Sequence, residues 1–164
     1  MTLVTADTKV LIFEGPDGGG KSTLIKFLEA THGYKVLRFD KPKTQEEKDN
    51  MFKMYAELLL SEDILNGCKV ILDRSWFSEM AYGPVMRDKS YISPRQSHAL
   101  EALLVAVNGK VIYVTASYHT LLKRIQQRGE DYVTPDKLLE VCERYNSMFN
   151  IIKRTAEVIH YHNS

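Results

Sequence analysis

Short runs of apolar residues alternate with stretches of helical spacing along the whole chain. Residues 10–13 are continuously apolar and stop at a glycine cluster, after which residues 24–30 read as a helix. A second strand is predicted over residues 34–39. From 48 to 60, Met51, Phe52, Met54, Tyr55, Leu58 and Leu59 recur at helical spacing, and Asn66-Gly67 marks a stop. Residues 69–72 form a third strand ending at Asp73. A helix over 76–82 is expected to be cut by Gly83-Pro84. Ser93-Pro94 opens another, which runs to Val107 before Asn108-Gly109. A fourth strand over 111–114 leads to a helix over 118–128, closed by Gly129. Thr134-Pro135 starts a long amphipathic helix with Leu138, Leu139, Val141, Cys142, Tyr145, Met148 and Phe149 on its inner face. Residues 157–161 close the pattern as a strand.

Strands alternating with helices predict an α/β fold, with a parallel sheet of about five strands and helices on both faces. A chain of 164 residues is expected to form one domain over 1–164. In such sheets the ligand lies beyond the carboxyl ends of the strands. The residues richest in chemistry follow the first, second and third strands: 15–23, 38–42 and 73–75.

Composition narrows the partners. A net charge of +1 gives no general attraction to nucleic acid or a membrane surface, so any anion binding has to be local. Cys68 and Cys142 lack paired spacing and read as two small buried thiols. His98, His119, His160 and His162 form no metal-ligand pattern. Residues 1–9 carry no charged-then-apolar run, and no apolar stretch approaches the roughly 18 residues that span a bilayer. The expectation is a reduced, cytoplasmic protein without membrane contact.

Gly15-Pro16-Asp17-Gly18-Gly19-Gly20-Lys21-Ser22-Thr23 fits G-x-x-x-x-G-K-[ST] between a predicted strand and a predicted helix. Glycines let successive N–H groups turn inward around phosphates, and the following helix adds its positive end. Lys21 supplies charge to the β- and γ-phosphate oxygens of ATP, and the Ser22 hydroxyl is a candidate Mg2+ ligand. Asp73, at the end of an apolar strand, is the second candidate on the metal side.

The run from Glu14 to Thr23 resembles the P-loop of thymidylate kinases, which carry an acidic residue near the acceptor sugar where Asp17 stands. Asp73-Arg74-Ser75-x-x-Ser78-x-x-Ala81-Tyr82 is similar to the family's D-R-[YH]-x-x-S-x-x-A-Y. This implies that Asp73 faces the metal and Arg74 holds the acceptor phosphate. Leu122-Lys123-Arg124-x-x-x-Arg128-Gly129-Glu130-Asp131 looks like the family's approach to its lid, which implies that Arg124 and Arg128 meet the donor; Glu143-Arg144-Tyr145 has a counterpart on the next helix. The resemblance also allows a homodimer, with the helix over 93–107 at the contact. Three departures stand out. Gly83 replaces the glutamine that commonly follows A-Y, no arginine lies between Arg128 and Arg144, and Ser75 is closer to the E-R-S of deoxynucleoside kinases.

The resemblance implies phosphoryl transfer from ATP to a deoxynucleoside monophosphate. Asp17, Arg38, Arg74 and Ser78 would bind the acceptor, and Tyr82 and Phe52 would stack on its base. If instead Asp40 takes a proton from a sugar hydroxyl, the enzyme is a deoxynucleoside kinase. A kinase acting on a nucleotide or modified base in DNA is disfavoured by the near-neutral charge. An inactive nucleotide-binding module is the non-enzymatic alternative, and the lack of an N-K-x-D motif argues against a GTPase switch.

Overall fold

The computed structural model describes residues 8–129 and 133–163. They form a five-stranded, all-parallel sheet in the order β2-β3-β1-β4-β5. The strands are β1 (Val10–Glu14), β2 (Lys35–Leu37), β3 (Val70–Asp73), β4 (Lys110–Thr115) and β5 (Val158–His162). Between them lie α1 (Lys21–His32), α2 (Gln45–Asp49), α3 (Met51–Leu59), α4 (Glu62–Leu65), α5 (Trp76–Arg87), α6 (Pro94–Ala106), α7 (Tyr118–Arg128) and α8 (Pro135–Ile152).

Both faces of β1, β3 and β4 are covered, which is why these strands read as unbroken apolar runs rather than alternating ones. Val10, Ile12, Val70, Leu72, Val111 and Tyr113 meet α3, α5, α6 and α8 on one face. Leu11, Phe13, Ile71, Ile112 and Val114 meet α1 on the other. Each such side chain, fully buried, contributes about 1.5–3 kcal/mol. The chain leaves β1 for the sheet edge, returns to β3, and then crosses to β4. The carboxyl end of β1 is therefore the switch point, and residues 15–23 emerge there.

The structure departs from the sequence expectations in several places. The second strand shrinks to three residues, and Tyr34 is instead buried, its hydroxyl donating to the Thr8 carbonyl. The 48–60 helix arrives in two pieces around Asn50, the first opened by a Thr44–Glu47 capping box. Leu139 is exposed and Cys68 is exposed, so neither is interior; Cys142 is half-buried, and burial pushes its thiol up to about 11.

The largest correction concerns α5, which continues through Gly83-Pro84 to Arg87. Proline lacks the N–H that would bond the carbonyl four residues back, at Met80. That carbonyl is taken by α8 instead: Arg144 Nε and Nη2 donate to it at 3.3 and 3.1 Å. The helix survives because a neighbour supplies the missing donors.

Candidate active site

Glu14 closes β1 and is wholly buried. Its Oε1 accepts from the Ser75 N–H (2.7 Å), the Ser75 hydroxyl (2.9 Å) and the Ser78 N–H (3.1 Å). Its Oε2 accepts from the Ser78 hydroxyl (2.6 Å) and the Tyr145 hydroxyl (2.9 Å). Ser75 is the N-cap of α5 and Ser78 its third helical residue, so Glu14 satisfies two helix-end donors from another strand. A negative charge at that end is also favoured by the helix dipole. One carboxylate thus ties the P-loop strand to α5 and α8. Sequence reasoning did not give Glu14 or Tyr145 a role. An acidic residue ending an apolar strand was the available signal for Glu14, while the helical spacing of Tyr145 marks it as an inner-face residue and not as a site residue.

Between β3 and α5, Arg74 has φ 73°, a left-handed conformation uncommon for a residue with a Cβ. Its N–H donates to the Phe13 carbonyl, which helps hold the turn. Such strain persists where the surroundings over-determine it, and it clusters at functional sites. The turn sends the guanidinium across the P-loop. Nη2 donates to Asp17 Oδ1 at 2.5 Å, and Nη1 to the Ser78 and Tyr145 hydroxyls at 3.1 and 3.3 Å. The ring of Tyr82 lies beneath it, 5.3 Å from centroid to the guanidinium carbon. The Tyr82 hydroxyl accepts from the Asp17 N–H at 3.0 Å, so this ring is engaged by the loop and by Arg74.

Lys21 is buried and folds back, Nζ donating to the Gly15 and Pro16 carbonyls at 2.9 and 3.1 Å. Its pKa is pushed down to about 7, first by burial and then by the charge of Arg74, against the pull of Asp17, Glu14 and Asp73. Arg124 Nη1 donates to the Gly18 carbonyl at 2.7 Å, so it reaches the loop's backbone from α7. Arg128, one turn on, is exposed and has no partner among the described residues. Arg38 is 69% exposed and lies 3.7 Å from Asp73, while Asp40 is exposed without a contact among the described residues. Phe52, on α3, packs half-buried against the core, and Trp76 and Phe77 lie wholly within that core. Glu130 and Asp131 lie outside the described residues.

Ser22 and Thr23 are exposed in the first turn of α1, and no described side chain occupies the Ser22 hydroxyl. Asp73 is close enough for its charge to act on Lys21. No group of three or more His, Cys, Asp or Glu side chains converges among the described residues. One hydroxyl and one carboxylate suit Mg2+, which usually keeps several waters and takes its other oxygens from substrate phosphates. These residues fit such an ion.

Gly83 accounts for one departure from the thymidylate kinase pattern. A Cβ there would sit 2.7 Å from the Lys89 carbonyl oxygen, 2.9 Å from Glu79 Oε1 and 3.0 Å from Arg87 Nη2. The Glu79–Arg87 ion pair fills the space a longer side chain would need. Gly83→Gln is therefore expected to destabilise the fold by about 1–3 kcal/mol through overpacking. A thermal melt checks this; a variant as stable as the parent would show that the pair gives way freely.

A cleft of about 730 Å³ lies between α6 and α8, lined by Met80, Glu101 and Arg144 among others, but no P-loop residue reaches it. The site is located by its chemistry rather than by this cleft. No helix among the described residues is long and apolar enough to cross a membrane.

Comparison with known proteins finds relatives that match over most of the chain. The chain is 28% identical over 144 residues to the SPbeta prophage-derived uncharacterized protein YorR of Bacillus subtilis (strain 168), covering 86% of this chain and 82% of YorR. It is 26% identical to the "Probable thymidylate kinase" of Methanocaldococcus jannaschii, covering 94% and 93% of the two. The crystal structure of YorR in complex with phosphorylated GDP superposes with a TM-score of 0.70 at 24% identity, over 94% of this chain and 85% of that one. Deoxyadenosine kinase from M. mycoides with bound dCTP gives 0.58 at 19% identity, over 93% and 89%. At these identities the two structures establish the fold alone. The model of the polyphosphate kinase 2 (PPK2) family matches residues 2–149. With its phosphate loop, buried lysine and adjoining arginine in place, the chain is a nucleotide kinase and belongs to the polyphosphate kinase 2 family of P-loop kinases.

Proposed function

We propose that the enzyme transfers the γ-phosphoryl group of ATP to a deoxynucleoside monophosphate. The observation that carries this reading is the pair of cations at the loop. Lys21 and Arg74 are both largely buried, and the charge of Arg74 helps push the Lys21 pKa down. Two such cations beside one set of loop amides suit two phosphate-bearing substrates arriving together.

Lys21 would leave the Gly15 and Pro16 carbonyls for the β- and γ-oxygens of the donor. Arg74, oriented by Asp17, Ser78 and Tyr145, would turn its remaining N–H groups to the acceptor phosphate. Gly15, Gly18, Gly19, Gly20 and Thr23 supply the cradle, and Arg124 holds it. Ser22 and Asp73 are the residues that would hold Mg2+, which would supply neutralisation of charge on the donor phosphates. Because the transition state is loose, positioning and charge neutralisation are most of what the protein contributes. Asp17 would meet the acceptor sugar, with Phe52 and Tyr82 on the base side.

A second reading has a specific observation behind it. Arg38 is turned to Asp73 rather than free, whereas Asp40 is uncommitted among the described residues. If the acceptor is a nucleoside, Asp40 is the base that takes its 5′-hydroxyl proton. A single screen separates the two by measuring ADP release with every deoxynucleoside, its monophosphate, and single-stranded oligonucleotides. Guanine nucleotides belong in the panel because YorR holds phosphorylated GDP. Polyphosphate belongs beside ATP as donor because of the family's name. Turnover with a monophosphate, with Arg74→Ala raising the acceptor KM at least tenfold and leaving ATP affinity intact, is the expected result. Turnover with nucleosides alone, abolished by Asp40→Asn, would replace it with the second reading.

A further inference from the structure

The carbonyl oxygens of a phosphate loop have to point away from the ligand so that the amides can point toward it. In this chain named side chains hold those carbonyls. Lys21 takes those of Gly15 and Pro16, Arg124 takes that of Gly18, and Asn163 takes that of Gly19, its Nδ2 donating at 3.2 Å. Asn163 comes from far along the sequence, |i−j| being 144 for this bond. It is delivered by the sheet: β4 and β5 pair up to Thr115 and His162, and the Asn163 N–H then donates to the Thr115 carbonyl at 2.7 Å. That bond fixes the backbone, and the side chain reaches the loop at Gly19. A Cβ on Gly20 would come within 2.2 Å of Asn163 Nδ2, so the amide occupies the space that glycine leaves open, at a position whose φ of +97° also favours glycine.

We infer that Asn163 is a positioning residue of the donor site, acting through the Gly19–Gly20 peptide. A trans peptide places C=O and N–H on opposite sides. Holding the Gly19 oxygen outward therefore holds the Gly20 N–H, which has no acceptor among the described residues, on the side away from Asn163. The role grows once the donor binds. Lys21 then leaves its two carbonyls for phosphate, and Arg124 and Asn163 remain as the side chains anchoring the loop from outside. Asn163 does this as a neutral amide, without adding a charge that would compete with Lys21 for phosphate oxygens.

The inference rests on the donor reading proposed above, and the experiment separates the two. Binding of ATP and of inorganic tripolyphosphate is measured by calorimetry on the parent, Asn163→Ala and Asn163→Asp, with acceptor KM and melting temperature alongside. Removing one ordinary hydrogen bond predicts a loss of about three- to tenfold for the alanine variant. Both ligands should weaken equally, since Asn163 acts through the loop and not on the base. The aspartate variant should lose more, because it cannot donate to Gly19 and sets a negative charge beside phosphate. Acceptor KM should stay at the parental value, and the melting temperature should fall by no more than about 5 °C, the scale of one hydrogen bond. Parental affinity in both variants would overturn the inference, as would a loss confined to ATP, which would make Asn163 a base contact. A larger fall in melting temperature, with acceptor use and donor binding lost together, would also overturn it, assigning Asn163 to the fold. If the parent itself binds neither ATP nor tripolyphosphate, the donor reading falls and takes this role with it.

Discussion

Lys21→Ala is expected to lower kcat with ATP by roughly a thousandfold, the scale for removing one preorganised charge-stabilising donor at a reacting centre. The loss should appear mainly in kcat. Loop amides and the start of α1 still hold the triphosphate, whereas the γ-phosphoryl group in transit loses its nearest mobile cation. A coupled assay of ADP release measures it, and a variant within tenfold of the parent would remove Lys21 from the chemistry. The same residue predicts a proton signature. In the free enzyme Lys21 titrates at about 7, because burial strips its hydration and Arg74 repels it. A triphosphate anion beside it raises that value. Below pH 7 the lysine is already charged and binding takes up little; at pH 8 it is largely neutral and binding takes up close to one proton. Affinity therefore falls as pH rises from 7 through the higher bound value. Calorimetry in buffers of different ionisation enthalpy reads the uptake, and Lys21→Ala should abolish it.

The second large effect is on stability rather than rate. Glu14→Ala should destabilise the fold by about 3–5 kcal/mol, the usual consequence of removing one side of a buried charged network. Two amides and three hydroxyls on α5 and α8 would lose this acceptor, most of them buried. In a domain of this size that is roughly a 10 °C drop in melting temperature. Activity should also fall at temperatures where the variant is still folded, since Arg74 is oriented by Ser78 and Tyr145, both of which lean on Glu14. Should the alanine variant melt within 2 °C of the parent, the proposed stitch does not carry this weight. Glu14→Gln keeps the shape but replaces one acceptor with a donor facing hydroxyls, and should fall between the two.

Much of the fold was legible because the strands are buried on both faces, which writes them as apolar runs bounded by Gly, Asn and Asp. Residues 10–13, 69–72 and 111–114 sit within a residue or two of β1, β3 and β4. The edge strand β2 was overextended because Arg38 and Phe39 follow it without a break in the local pattern, and only the length of its pairing with β3 ends it. Residue 84 misled for a different reason. Proline's cost to a helix is local, but its remedy sits 60 positions later on Arg144 and cannot be read from the neighbourhood of Gly83. The site divides the same way. The P-loop and Asp73-Arg74-Ser75 were visible as motifs, since glycine spacing and strand ends have local signatures. The partners in the Glu14 network, the Tyr82 contact with Asp17 and the reach of Asn163 to Gly19 depend on tertiary packing, which brings together segments whose own sequences do not name the partner.

The bonds between α5 and α8 limit how these two helices can move against each other. Arg144 grips Met80, and Tyr145 grips Glu14 and Arg74. Sliding one helix past the other by a turn would break all of these at once. The two helices and the first strand should therefore travel as one anvil. Outside that linked set lie Lys21, whose side chain can swing away from the loop carbonyls, and the uncommitted Arg128 on α7.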